Sequence, residues 1–207
     1  GLCNYFIEVF EGLGGEVVYE TFPEGNSDFS SYVANAKNAG AEVFFAPVST
    51  EAAALIIDQA QAQNLGMPIL ASDTWDSNVI LNAAKGTDLD INVTTFFAEG
   101  GAPEFDSGIK EWLNANPDQM TNNGGNDMIA AVTAIGYDAY LTALEALKIA
   151  GSTDRAAVLE AMPQVSFEGV TGLIEFDDIG DAIRDAAYIK AANTETNNWD
   201  FVTVQGV

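Results

Sequence analysis

The chain has 207 residues, 48% of them hydrophobic, enough for one large domain or two small ones with a real core. Thirty-one acidic residues against seven basic ones give a formal net charge of −24, a field that repels a nucleic-acid backbone and disfavours an anionic membrane surface. Histidine is absent and cysteine occurs once, as Cys3, which excludes an internal disulfide, His-activated nucleophiles, His metal sites and an imidazole proton shuttle.

The acidity otherwise reads as the solvated, self-repelling surface of a secreted protein. No apolar run approaches the roughly 18 residues that span a bilayer, and no basic segment followed by an apolar one opens the chain. The first stretch, "GLCNYFIEVFEGLGG", places Leu2, Tyr5, Phe6, Val9, Phe10 and Leu13 at helical spacing before a Gly14–Gly15 stop. Cys3 is expected there as a small buried thiol. A helix that starts at residue 1 without a cap is expected to be cut from something longer.

"EVVYETF" (16–22) is predicted to be a strand ended by Pro23–Gly25. Asp28 is expected to cap a helix over "FSSYVANAKNA" that Gly40 closes. "EVFFAPV" (42–48) lacks alternation and is predicted to be a strand buried on both faces. Ser49–Thr50 open the helix "EAAALIIDQAQAQN", which Gly66 stops; "PIL" (68–70) is a third strand, "NVILNAA" a short helix and "DINVTTFFA" (90–98) a fourth strand. Strand and helix alternating over short links call for an α/β fold: a doubly wound parallel sheet with flanking helices.

The second half changes character. "EFDSGIKEWLNANP" is an amphipathic helix that Pro117 should terminate, and "NDMIAAVTAIGYDAYLTALEALKIAG" one long helix ended by Gly151. Ser152 or Asp154 should cap "RAAVLEAM". A hairpin-like "GVTGLIEFDDIGD" follows, then "AAYIKAA" and "DFVTVQGV" as strands around a polar turn. Three helices with so little sheet cannot bury their own apolar faces, so this part is expected to lack its central sheet.

Several features together resemble the second lobe of type I periplasmic binding proteins, in the leucine/isoleucine/valine-binding branch of ABC-importer receptors. They are the strand–"P.G..DFS"–helix–"GAEVFF" succession, "LGMPILASDTWDS", the long helix bearing "GYDAY", "AGSTDRAAVLEAM" and "FEGVTGLIEFDDIGD"; their order covers essentially the whole chain. The resemblance implies two α/β lobes joined by three crossing strands, with a ligand trapped between them. It assigns residues 1–97 plus 183–207 to lobe two and 98–182 to the helical C-terminal share of lobe one. It also implies that the first half of the family's chain, with the central sheet of lobe one, is missing here, leaving that lobe incomplete.

In a doubly wound sheet, ligands sit outside the carboxyl ends of strands. Two such ends are legible, Val48–Ser49–Thr50 and Ser72–Asp73–Thr74–Trp75, and they belong to neighbouring βα units. Asp73 reads either as a helix cap, a role open equally to Ser72 or Asp76, or as a buried carboxylate for a ligand ammonium; the resemblance implies the second. Ser49 and Thr50 read as caps or as contacts to a polar ligand oxygen. Where the family often carries an aromatic ligand-facing residue this chain has Val48 and Ser49, which implies less stacking on the ligand. Trp75 either lines the cleft or packs against its own helix.

Other signals are weaker. The glycines of "EGLGGE" follow a helix instead of joining strand to helix as a phosphate loop does. "FDDIGD" lacks the alternating ligand positions and closing glutamate of a calcium loop and reads as a polar turn. "TNNGGND" is a loop ahead of the long helix, and Tyr137 in "GYDAY" is expected in the core with its hydroxyl satisfied. No catalytic residue, metal site or cofactor is expected, which argues against an α/β enzyme; a sugar-binding repressor core would bring a basic DNA-binding segment. The resemblance implies a periplasmic or extracellular receptor, free or lipid-anchored, that captures a small amino acid-like zwitterion and delivers it to an ABC permease. A sensing domain of the same fold, closing on a signalling partner, stays open beside it, and the exposed helices offer a face for a homodimer.

Overall fold

A computed structural model describes residues 1–206, and in the first of its two units helix and strand alternate as the punctuation demands. That unit comprises Gly1–Thr94 and Lys190–Asp200; the second comprises Thr95–Ile189 and the chain from Phe201 on. The first unit begins with α1 (Leu2–Gly12), none of whose residues is buried. Its anchor is Phe6, which stacks on Phe45 at 4.1 Å and on Phe10 at 5.3 Å. Cys3 is half-buried, not buried as expected.

The strand expected over 16–22 does not form. Those residues join no ladder, and Val18 and Tyr19 are 69% and 53% exposed. β-branched and aromatic residues favour a pleated, half-buried surface without creating one; here no described strand lies alongside.

The next helix, α2 (Ser30–Ala39), starts where Asp28 Oδ1 accepts the Ser30 N–H at 3.0 Å, and ends at Gly40 in the left-handed conformation (φ 72°). The backbone bond from Ser30 holds the exposed Asp28 carboxyl below its usual pKa. β1 (Phe44–Phe45), α3 (Thr50–Ala62), β2 (Ile69–Ala71), a 3₁₀ turn (Asp73–Trp75), α4 (Asn78–Ala84) and β3 (Ile91–Thr95) complete the alternation. β1 is only two residues long and half-buried, where a strand over 42–48 buried on both faces was expected. As the sheet's edge it has one neighbour to pair with.

β1 pairs parallel with β2, Phe44 opposite Ile69, and β2 pairs parallel with β3, Ile69 opposite Ile91. α3 is joined to α2 by amides at its end: Gln59 Oε1 accepts from Phe29 N at 2.6 Å, and Gln63 Nε2 donates to Ser30 O at 2.9 Å. Val33, Ile56, Ile57, Ile69, Ile80, Leu81, Ile91 and Val93 are buried in the core of this unit, each contributing on the order of 1.5–3 kcal/mol by leaving water.

The second unit is mostly helical: α5 (Pro103–Ala115), α6 (Pro117–Asn122), α7 (Ala131–Ala150) and α8 (Arg155–Ala161), followed by the hairpin β4 (Phe167–Gly169) and β5 (Gly172–Ile174). Pro117, expected only to end a helix, also begins one; at the first helical position its missing N–H costs nothing. α7 starts at Ala131 instead of near Asn126. Ahead of it Asn123 Nδ2 donates to Asn126 O and Met128 O, both at 2.8 Å, fixing the loop. Asp154 caps α8, accepting from Ala156 N and Ala157 N at 3.1 Å. "FDDIGD" is the expected polar turn: Asp177 Oδ1 accepts from Ile179 N and Asp181 N.

A small core gathers Phe97, Ile129, Ala131 and Ala134, with Phe105, Ile109 and Val170 against it. Trp112, Val132, Tyr140 and Leu159 remain more than half exposed on the helices. Tyr137, expected in the core, is 43% exposed and rests on Phe105 at 5.1 Å. The buried member of "GYDAY" is Asp138, whose carboxylate accepts from Val170 N (2.9 Å), Thr171 N (2.8 Å) and Thr171 Oγ1 (2.7 Å) and so fastens the β4–β5 turn to α7.

Two long strands finish the chain, β6 (Ala186–Asn193) and β7 (Asn198–Gly206), and each runs from one unit into the other. The larger sheet has the order β1-β2-β3-β6-β7. Among the described residues no helix is long and apolar enough to cross a membrane.

Candidate ligand-binding site

The ends of β1 and β2 meet through two reciprocal hydrogen bonds. Thr50 Oγ1 donates to the Thr74 carbonyl at 2.8 Å, and Thr74 Oγ1 donates to the Val48 carbonyl at 2.7 Å. A threonine hydroxyl has one proton, so the 3.0 Å contact between Ser72 Oγ and Thr74 Oγ1 takes its proton from Ser72. Residues 48–50 and 72–75, which the sequence places on neighbouring βα units, are thereby one interlocked surface within the first unit.

Each candidate residue takes a distinct place on it. Ser49 caps α3, its Oγ accepting from Ala52 N at 3.4 Å, which leaves the hydroxyl proton free to point elsewhere. Thr50 and Val48 are half-buried, Ser49 and Thr74 exposed. Asp73 is half-buried and begins the 3₁₀ turn, and α4 is capped by Ser77, whose Oγ accepts from Ile80 N. Asp73, Ser72 and Asp76 therefore do not cap α4, the plain structural role open to all three. The Asp73 carboxylate makes no hydrogen bond within the described chain. Trp75 is fully buried, and its Nε1 lacks an acceptor among the described residues.

The next residue had no functional signal in the sequence. Asp76 ends the 3₁₀ turn, its N–H donating to Asp73 O at 3.0 Å, and its buried carboxylate meets Lys190 Nζ at 2.9 Å. These partners lie 114 positions apart, and only the unusual placement of a lysine inside the apolar "AAYIKAA" could have drawn attention to one of them.

Chemically, the surface offers a hydroxyl donor from Ser49, the Thr50 hydroxyl oxygen as an acceptor, an α3 N-terminus, and a carboxylate free to accept from a cationic N–H. No described group of three acidic, histidine or cysteine side chains is placed to hold a metal. Parallel strands whose carboxyl ends carry such a surface define an α/β ligand-binding module.

Residues 1–195 match the family model described as periplasmic binding protein, and the chain belongs to that family. It is 29% identical over 167 residues to the Leu/Ile/Val-binding protein homolog 1 of Brucella abortus (strain 2308), covering 80% of this chain and 42% of that protein. A crystal structure of the leucine binding protein LivK from Thermotoga maritima superposes with a TM-score of 0.80 and 29% identity over 100% of this chain and 56% of that one. The fold is shared at 21% identity by LivJ from Streptococcus pneumoniae, a branched-chain amino acid transporter substrate binding protein solved with isoleucine (TM-score 0.71, 99% of this chain and 55% of that one). It is shared at 18% identity by a solute binding protein from R. palustris solved with benzoate (TM-score 0.77, 98% and 54%).

These relatives bear out the resemblance to the type I, leucine/isoleucine/valine-binding branch. Its members are binding proteins, not enzymes. The chain spans about half the length of the relatives it matches.

Proposed function

We propose that this chain is the ligand-gripping part of a two-lobed substrate-binding receptor of an ABC importer, and that its ligand is a small zwitterionic amino acid. In this reading residues 1–97 with 183–207 make up one lobe, and 98–182 are the helical share of the other. The ligand's ammonium pairs with Asp73, and the edge made by Ser49, Thr50 and Thr74 takes its polar remainder, with Val48 as apolar wall; Trp75, fully buried, packs beneath the turn and does not line the cleft. The receptor works outside the cytoplasm, in the periplasm or at the cell surface, and hands its cargo to a membrane permease.

One observation carries the reading: Asp73 stands on an interlocked strand-end surface, half-buried, neither capping a helix nor paired within the described chain. A carboxylate so placed gains most from a ligand that brings its own positive charge, since charge-assisted hydrogen bonds contribute about 1.5–3 kcal/mol each. The names of the relatives, a Leu/Ile/Val-binding protein homolog and a leucine binding protein, support an amino acid; benzoate in a more distant relative lacks the ammonium and serves as the control.

The test is calorimetric titration of the complete receptor with L-leucine, L-isoleucine, L-valine and benzoate, alongside Asp73→Asn. The amino acids are expected to bind and the variant to lose roughly tenfold or more of that affinity. Retention of affinity within a few-fold, or tighter binding of benzoate, refutes the ammonium role.

A further inference from the structure

We infer that Lys190 and Asp76 are positioning residues for the ligand turn: their buried ion pair fixes the Asp73–Trp75 segment from beneath by tying it to β6. The inference rests on the proposed role of Asp73 as a ligand contact and deepens it. Three observations converge. The side chains of Lys190 and Asp76 are 6% and 0% exposed and meet at 2.9 Å. Asp76 is the residue on which the 3₁₀ turn ends, bonded through its N–H to the carbonyl of Asp73 itself. Lys190 stands at the point on β6 where the chain returns to the first unit, directly after Ile189.

Stability alone is a poor reason for this arrangement. Taking both charges out of water offsets much of their attraction, and well-packed apolar replacements of buried pairs are often neutral or stabilising. What a short buried pair supplies is placement: a single direction and distance that two apolar side chains would not impose. Thr50 and Thr74 hold the turn from the α3 side; Lys190 holds it from the β6 side. Between them the backbone of residue 73 has little freedom, and the Asp73 carboxylate leaves from a fixed origin.

β6 also neighbours β3 in the sheet, so a ligand that pulls on Asp73 loads a strand that continues into the second unit. Movement of the turn is thereby felt on β6 without any contact between ligand and Lys190.

The experiment uses the complete receptor with L-leucine as probe, and measures affinity and melting temperature side by side. Lys190→Met strands Asp76 without its charge and should lower both. The double variant Asp76→Leu/Lys190→Met leaves no unpaired charge; it should recover a melting temperature close to the parent yet bind L-leucine at least tenfold more weakly. A double variant that binds within threefold of the parent overturns the inference, because a purely stabilising pair would be replaced without functional loss.

Amide exchange on the unsubstituted receptor gives a readout that does not depend on any variant folding. L-leucine should slow exchange at residues 72–77 and at 189–191 together. Slowing at 72–77 alone overturns the coupling to β6. If the parent binds L-isoleucine or L-valine but not L-leucine, the same variants are read with that amino acid; absence of binding by all three is a separate result that refutes the proposed ligand class and with it the inference.

Discussion

Removing the Asp138 carboxylate should cost the second unit more than any single surface change. The residue is 2% exposed in the middle of α7 and accepts three hydrogen bonds at 2.7–2.9 Å, two from the backbone of Val170 and Thr171 and one from the Thr171 hydroxyl. In Asp138→Ala the two N–H groups lose their acceptor; Thr171 is buried and Val170 half-buried, so water replaces it only in part. An orphaned buried donor costs about 1–3 kcal/mol, more when the lost partner was charged, so two of them predict about 2–6 kcal/mol. Asp138→Asn keeps one oxygen and turns an N–H₂ toward a donor, predicting roughly half that loss. Gly169 makes the same point from the other side. A Cβ there would stand 2.6 Å from Asp138 Oδ2, so Gly169→Ala should push the clamp open at about 1–3 kcal/mol. Urea unfolding together with limited proteolysis across 167–174 measures the effect. A change below about 1 kcal/mol for Asp138→Ala, with no new cleavage, would refute the clamp.

Further tests concern single groups. Thr74→Val removes the hydroxyl that links Val48 and Ser72; stability should fall by only about 1 kcal/mol because the site is exposed, while ligand affinity in the complete receptor drops several-fold. Thr74→Ser should restore both, and failure of the serine to do so counts against the interlock. Lys110 has its pKa raised above 10.5, first by its hydrogen bond to Glu99. A raised folded pKa means that the contribution is fully present below 10.5 and lost as pH rises through the folded value. Because the Lys110 side chain is 37% exposed, solvent screening limits that contribution to about 1 kcal/mol or less. Thermal melts of the parent and Lys110→Met should differ slightly at pH 8 and converge at alkaline pH; a gap that widens there reverses the assigned sign.

What the sequence made legible follows from how local each signal is. Gly40 and Gly151 stop their helices in the left-handed conformation, "NVILNAA" is the observed α4, and Asp154, just ahead of Arg155, caps α8. All of these depend on neighbours within a turn or two. The strand expected at 16–22 failed because pairing is supplied by another segment, and β1 is limited to Phe44–Phe45 because its single neighbour, the three-residue β2, pairs with it only at Ile69 and Leu70. Pro117 signals a helix end because it lacks the N–H to continue one, although the same fixed φ suits a helix start. At the site, the adjacency of 48–50 and 72–75 was legible from the order of βα units. The cap of α4 was not, since Ser72, Asp73, Asp76 and Ser77 are all chemically suited and only the 3₁₀ turn selects Ser77. Asp76–Lys190 and Asp138–Thr171, separated by 114 and 33 residues, lay outside any local rule.

The net charge of −24 and the carboxylate at the site must be kept apart, because they act over different distances. At physiological ionic strength the field of a surface charge fades within about 8 Å, and a zwitterion carries no net charge for that field to steer. Affinity in the proposed receptor therefore comes from Asp73 and the hydroxyl edge at contact range, where salt intervenes little. Stability, by contrast, bears the mutual repulsion of 31 acidic groups against 7 basic ones, which salt relieves. Raising sodium chloride from about 0.05 to about 0.5 M shortens the screening length by roughly threefold. The melting temperature should rise over that range while the dissociation constant for the bound amino acid shifts by less than about threefold. A tenfold or greater loss of affinity with salt would mean that the acidic surface as a whole attracts the ligand. The cargo would then carry a net positive charge, and the assignment of Asp73 to the ammonium of a zwitterion would fail.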